Sequence, residues 1–75
     1  MEKLLEILKE LNDTIDFENE TKLIDDELID SLDLMQLISE LEENFEVEIG
    51  MEKIIPENFN SAKAMWNMIT ELQNA

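Results

Sequence analysis

The chain has 75 residues, enough for one small domain but too few for two separate hydrophobic cores. It contains no cysteine and no histidine, which excludes disulfides, thiol nucleophiles, serine–histidine triads and Cys/His metal sites. Twenty acidic residues against five lysines give a formal net charge of -15, which excludes nucleic acid and anionic membranes as partners and favours basic protein surfaces.

The apolar share of 44% is typical of a folded chain despite this charge. No apolar run approaches the roughly 18 residues that a membrane span needs, and the first residues lack a signal-peptide pattern. We therefore expect a soluble, cytoplasmic monomer that does not insert into membranes.

The start of the chain predicts a first helix, because apolar residues recur there at helical spacing: Leu4, Leu8, Leu11 and Ile15. From Asp13 to Asp30 no period is sustained. A loop of this length in a small domain tends to be functional, and its scattered apolar residues predict that it is pinned onto the core. We expect a helical turn around Leu23 to Leu28.

The clearest helical pattern runs from Ser31 to about Glu46, with apolar residues at three- and four-residue spacing: Leu34, Leu37, Ile38, Leu41 and Phe45. Asp30 is the expected N-cap, and Asp33 then occupies the third helical position of a capping box. Ser31 becomes the first residue inside this second helix.

Gly50 is predicted as a turn residue, and Pro56 restricts the next segment to a short helical turn with Ile54, Ile55 and Phe59 pointing inward. Asn60 or Ser61 caps the last helix. Its apolar residues form one stripe: Ala62, Met65, Trp66, Ile69 and Leu72. Core packing is a better interpretation of Met65, Met68 and Trp66 than a cofactor site. The whole pattern predicts an all-α domain over residues 1–75, with three main helices and one short helix.

Nothing in the chain predicts catalysis or a built metal site. Close carboxylate pairs arise from composition alone when 20 of 75 residues are acidic. Leu28 and Ile29 occupy positions where an EF-hand loop needs oxygen ligands, and a single glycine cannot form a phosphate-binding loop. We predict a protein that is not an enzyme.

Ser31 has two interpretations. Serine is common at helix starts, and an isolated Asp-Ser before an apolar run favours that simple explanation. The first helical position, however, lies beside unpaired amides and the positive end of the helix dipole, where an attached phosphate is favoured.

The segment LIDSLDLMQLISELEENFEVEI, residues 28 to 49, resembles the carrier-protein family of acyl carrier proteins, peptidyl carrier domains and D-alanyl carrier proteins. The resemblance begins with the triplet Asp30, Ser31 and Leu32. It continues through residues at matching distances from the serine: Asp33, Leu37, Leu41, Glu42, Glu43 and Phe45. It implies a small four-helix bundle of the acyl-carrier type with a long loop between helices one and two. It also implies a 4'-phosphopantetheine arm on Ser31, flanked by Asp30 and Leu32, whose thiol holds cargo as a thioester.

Two departures bear on the cargo. Met35 and Gln36 stand where common fatty-acid carriers have valine and glutamate, and Gly50 stands where they have proline. The stretch PENFNSAKAM, residues 56–65, is instead similar to the segment before the last helix in stand-alone aminoacyl and peptidyl carriers. An amino acid is therefore a candidate cargo beside fatty acyl and polyketide groups.

The resemblance also implies a docking surface around the serine. Leu32 and Met35 offer an apolar contact on the side of the helix away from Leu37 and Leu41. Acidic residues are expected to surround this contact and steer basic partners: Asp30, Asp33, Glu40, Glu42 and Glu43. A solvated helix face is the alternative interpretation for each single glutamate.

The implied partners are a phosphopantetheinyl transferase, an adenylating or acyl-transferring loading enzyme, and a downstream acceptor enzyme. The alternative from another class is a non-catalytic acidic helical interaction module without a prosthetic group. The two hypotheses share fold and charge and differ at Ser31.

Overall fold

The computed structural model describes residues 1–74, and over this range the chain forms four α-helices and no strand. The helices are α1 (Glu2–Leu11), α2 (Ser31–Phe45), α3 (Pro56–Phe59) and α4 (Ala62–Gln73). A 3-10 turn over Met51–Lys53 precedes α3. The predicted all-α fold, with three longer helices and one short helix, is confirmed, as is the long loop between α1 and α2.

Helix α1 ends earlier than its apolar spacing predicted. Leu4 and Leu8 are buried, but the backbone at Asn12 turns to an extended conformation with φ -158°. The Asn12 side chain then accepts hydrogen bonds from the N–H (3.0 Å) and the hydroxyl (2.6 Å) of Thr14. The prediction that Ile15 continues the helical stripe is wrong, because this local turn competes with the helix. Ile15 is half-buried against the core from the loop.

The long loop lies on the core, as predicted. Phe17, Leu23 and Ile29 are all buried and belong to the same apolar cluster as the helices. Hydrogen bonds from the N–H of Asp26 to the carbonyl of Lys22 (2.9 Å), and from Glu27 to Ile24 (3.0 Å), form the predicted helical turn. Three buried side chains in an irregular segment fix it in place.

Helix α2 buries Leu37 and Leu41 completely and ends at Phe45, one residue before the predicted boundary. The Lys3 ammonium from α1 donates to the carbonyl of Asn44 (3.0 Å) and lies 5.6 Å from the centre of the Phe45 ring. The same ring meets Trp66 of α4 edge-on, with 5.8 Å between centroids. The end of α2 is thus held by both α1 and α4.

The segment before α4 mostly matches its prediction. Pro56 is in the first turn of α3, where its missing N–H costs nothing, and Phe59 is buried. Ile54 is half-buried against the core, but the prediction for Ile55 is wrong, since that side chain is 41% exposed. Of the two candidate caps for α4, Ser61 is the one used, with its Oγ accepting from the N–H of Ala64 at 3.0 Å.

The interior side of α4 is apolar throughout. Met65, Met68 and Ile69 are buried in the core, as expected for packing residues. Trp66 and Leu72 are half-buried against the same cluster. None of the helices formed by residues 1–74 has the length and hydropathy needed to cross a bilayer.

Candidate functional site at the start of helix α2

Ser31 is the first residue of α2, and its side chain is exposed. The capping is done by Asp30, whose Oδ1 accepts from the N–H of Asp33 at 2.8 Å. The carbonyl of Asp30 accepts from the N–H of Leu34 at 2.9 Å, which closes the first turn. Because Asp30 fills the capping role, the Ser31 hydroxyl has no hydrogen bond to any other described residue.

The predicted capping box is only half formed. Asp33 contributes its backbone N–H to the cap, while its half-buried carboxylate makes no return hydrogen bond among the described residues. The N–H groups of Ser31 and Leu32 likewise have no acceptor in this part of the chain. Two free amides and the positive end of a fifteen-residue helix therefore lie beside the hydroxyl.

An open depression of about 490 Å³ adjoins Ser31. Its walls come from the end of the long loop and the first turn of α2, and its lining residues are Ile24, Glu27, Ile29, Asp30, Ser31 and Leu34. Glu27 has a left-handed backbone, with φ 55°, which ends the helical turn before the chain enters α2. The sequence alone did not single out Ile24 or Glu27 as site residues, because only the folded loop brings them to the serine.

The outer face of α2 is apolar next to the serine. Leu32 is 78% exposed and Met35 is 67% exposed, in contrast to the fully buried Leu37 and Leu41 on the opposite face. Residues four apart lie on one face of a helix, so Met35 is beside Ser31 on the surface. The predicted orientation of both apolar side chains is confirmed.

A site of this kind suits a covalently held phosphate ester: an exposed hydroxyl, two unpaired amides and space around them. Comparison with protein families gives a match to the model described as "Phosphopantetheine attachment site", over residues 2–69. The chain belongs to this family. It is also 32% identical to a D-alanyl carrier protein of Streptococcus sanguinis (strain SK36), over 97% of this chain and 94% of that protein. No solved structure matches the chain.

The protein is therefore a phosphopantetheine carrier that holds an acyl or aminoacyl group on a covalently attached 4'-phosphopantetheine. The predicted family and cofactor are confirmed, and the four helices fit the acyl-carrier fold. Proteins of this family generally supply no catalytic group themselves and work with phosphopantetheinyl transferases and other enzymes. Membership favours the carrier hypothesis over the interaction module without a prosthetic group.

The five acidic residues predicted for docking do not share one face of the carrier. Glu42 accepts a hydrogen bond from the N–H of Ile49 at 2.9 Å and so holds the chain that leaves α2. Glu40 is half-buried beside α1, nine residues and about half a turn around the helix from Ser31. Glu43 is exposed on the outer face, about 16 Å along the axis from Leu32. Of these five residues, Asp30 and Asp33 are the closest to Ser31 along the helix.

The charge of the carrier is unevenly distributed along the chain. Residues 23–52, which include the second half of the long loop and all of α2, hold eleven acidic residues and no lysine or arginine. Residues 53–75 hold two lysines and two glutamates and are neutral. The negative charge is therefore concentrated in the segment of the chain that contains Ser31. No group of three acidic side chains among residues 1–74 converges as a metal site.

The space between α1 and α2 is small. The gap lined by Ile7, Leu37 and their neighbours measures about 60 Å³, room for only a few water molecules. The buried residues of both helices belong to one apolar cluster. An acyl chain could enter between these two helices only if they moved apart.

Proposed function

We propose that Ser31 is the residue that carries phosphopantetheine and that the chain is a single-domain, monomeric cytoplasmic carrier of an aminoacyl group. The observation that supports the attachment point is the exposed Ser31 hydroxyl at the start of α2, left free because Asp30 makes the cap. The chain contributes no catalytic group. Its task is to present the cargo to enzymes that bind it in turn.

The other two serines suit the attachment less well. The Oγ of Ser61 already accepts from the N–H of Ala64. Ser39 is exposed but lies in the middle of α2, where the backbone amides are used within the helix. Ser31 is the serine that combines exposure with free amides.

The groups around Ser31 would affect an attached phosphodiester in different ways. The N–H groups of Ser31 and Leu32 and the helix dipole favour a negative group there. Asp30 lies at the same end of the helix, and its carboxylate would oppose a second negative charge there. When bound, the arm supplies a terminal thiol that holds the cargo as a thioester. Leu32 and Met35 remain exposed beside it for contact with partner enzymes.

An aminoacyl cargo is supported by two observations. The relative at 32% identity is named as a D-alanyl carrier and matches over 94% of its length. The gap between α1 and α2 is too narrow for a long acyl chain, and the larger depression beside Ser31 is open to solvent, whereas a short polar aminoacyl group needs no shelter. D-alanine is the cargo that we propose to test first, with fatty acyl and polyketide groups as the competing outcomes.

The proposed partners are a phosphopantetheinyl transferase, an adenylating loading enzyme and a downstream acceptor enzyme. Each would dock on the surface formed by Leu32, Met35 and the acids near the serine. The concentration of negative charge in residues 23–52 supports recognition by basic surfaces. Association with such an enzyme should slow steeply as salt rises, and an association rate independent of salt would contradict electrostatic steering.

Intact-mass measurement tests the attachment point. The chain is incubated with coenzyme A and a phosphopantetheinyl transferase, and a gain of one phosphopantetheine group is expected. Ser31→Ala should abolish the gain, while Ser39→Ala, a change at an exposed serine of the same helix, should leave it intact. A gain that survives Ser31→Ala would refute the assignment.

The cargo is tested on the holo protein. Incubation with ATP, D-alanine and a D-alanine-adenylating enzyme should add one alanyl group, which hydroxylamine releases because the bond is a thioester. The same protein is offered fatty acyl groups with an acyl-transferring enzyme. Loading with fatty acyl groups and not with amino acids would contradict the aminoacyl proposal while leaving the carrier function in place.

A further inference from the structure

Asn60, the residue between α3 and the cap of α4, anchors the loop that leads to Ser31. Its Oδ1 accepts from the N–H of Ile24 (2.9 Å) and of Asp25 (3.0 Å). Its Nδ2 donates to Asp25 Oδ2 at 3.2 Å. Its backbone carbonyl accepts from the N–H of Leu23 at 2.9 Å. Asn60 thus binds three successive loop residues: its main chain binds Leu23, and its side chain binds Ile24 and Asp25.

No other polar contact replaces this anchor. Among the described residues, every hydrogen bond that joins residues 21–29 to a residue outside the long loop ends on Asn60. The remaining attachment of this segment is apolar, through the buried side chains of Leu23 and Ile29. Apolar contacts are not directional, so the orientation of the loop backbone depends on Asn60.

Further hydrogen bonds connect the turn held by Asn60 to Ile29, the residue before the cap of α2. Asn60 caps the turn at residues 22–27 from a distance of 35 residues or more in sequence, much as an N-cap residue serves a helix. The carbonyl of Leu23 then accepts from the N–H groups of both Leu28 (2.9 Å) and Ile29 (3.2 Å). The next residue, Asp30, is the N-cap of α2. The loop side of the depression beside Ser31 is therefore set by the turn that Asn60 holds.

We propose that Asn60 is a positioning residue for the modification of Ser31: it fixes residues 23–29 so that partner enzymes meet one arrangement of the depression and the helix start. This inference rests on the proposed attachment of phosphopantetheine to Ser31. Asn60 does not touch the serine, and it acts through the loop. Its loss frees the segment without removing any core side chain.

The test compares Asn60→Ala with Asn58→Ala. Asn58 Nδ2 donates to the carbonyl of Lys53 at 2.8 Å, so its substitution also removes a side-chain hydrogen bond near α3 but leaves the loop untouched. For Asn60→Ala we expect faster hydrogen exchange at the amides of Ile24 and Asp25, with α1 and α4 unchanged. We expect kcat/KM of the transferase to fall roughly tenfold, an effect the size of one or two lost hydrogen bonds. Asn58→Ala should be modified at the wild-type rate.

An exchange of partners gives a rescue test that does not depend on the alanine variant folding. Asn60→Asp keeps the acceptor for the two loop amides but sets a second carboxylate against Asp25. The transferase should therefore modify Ser31 of this variant slowly. Adding Asp25→Asn restores an amide–carboxylate pair, now with the amide at position 25 and the carboxylate at position 60. The rate of Ser31 modification should return toward that of the wild type.

The outcomes separate the two proposals. A wild-type modification rate in Asn60→Ala, or no recovery in the exchanged pair, would overturn the positioning role alone. Absence of modification in the wild-type chain, with a transferase shown to be active on another carrier, would contradict the attachment at Ser31 and the positioning role with it.

Discussion

Asp30 is expected to have two separable roles, as the cap of α2 and as a charge beside Ser31. Asp30→Ala removes the acceptor of the 2.8 Å hydrogen bond from the Asp33 N–H. Loss of an N-cap costs about 1 kcal/mol, and for a domain of this size that corresponds to a fall of about 4–8 °C in the unfolding midpoint. Asp30→Asn keeps an acceptor and loses only the charge, so its stability should stay within about 0.5 kcal/mol of the wild type.

Thermal unfolding followed by circular dichroism measures the cap, and the rate of Ser31 modification measures the charge. Ser61→Ala is the matched control for the cap, because it removes an equivalent cap from α4. It should lower the unfolding midpoint by a similar amount. If Asp30→Ala and Asp30→Asn unfold at the same temperature, the capping role is refuted. If Asp30→Asn is modified as fast as the wild type, the charge has no part in recognition.

Three further predictions concern stability. Leu41→Ala should lower the free energy of unfolding by about 2–5 kcal/mol, whereas Leu32→Ala on the exposed face should change it by less than about 0.5 kcal/mol. Urea titrations of the two variants measure both values, and equal losses of stability would contradict the assignment of the two faces of α2. Glu46 has φ 53° at the end of α2, so Glu46→Gly should raise the midpoint in a thermal melt by an amount equivalent to about 1 kcal/mol. The midpoint of the wild type should rise with added salt, because screening relieves a net charge of -15, and no dependence would contradict a role for charge repulsion.

The sequence predicted α2 and its cap well because their causes are local. The N-cap residue and the amide that it accepts from are three positions apart, and the buried stripe follows from helical spacing. The exposure of Leu32 and Met35 follows from the same geometry, since they fall outside that stripe. The choice of Ser31 over a simple cap depended on the resemblance to a family, because Asp-Ser before an apolar run is common.

Other features could not be predicted because they depend on contacts between distant residues. Asn60 was a candidate cap for α4, yet its side chain accepts from the N–H groups of Ile24 and Asp25, which lie 36 and 35 positions earlier in the sequence. Glu42 also makes a contact that the sequence did not predict: its carboxylate accepts from the N–H of Ile49 after the chain has turned at the end of α2. Ile15 was misplaced because periodicity does not show where a local turn ends a helix, and Ile55 because it lies in the extended cap position before α3 and not inside the helix.

The concentration of acids near the site suggests that recognition and stability oppose each other in this carrier. Glu43 is exposed on the outer face of α2 and its carboxylate makes no hydrogen bond within the described residues, so its charge adds to the repulsion without a compensating contact. Glu43→Gln should therefore raise the free energy of unfolding by up to about 0.5 kcal/mol and slow association with a basic partner enzyme roughly twofold at low salt. Glu71→Gln, in the last turn of α4 and in the neutral part of the chain, is the control: it also removes a charge from a helix C-terminus but should leave the association rate unchanged. Chemical denaturation and stopped-flow association on the same preparations measure both effects. If Glu43→Gln gains stability without losing association rate, the charge at this position is surplus, and the steering field arises from the acids next to Ser31.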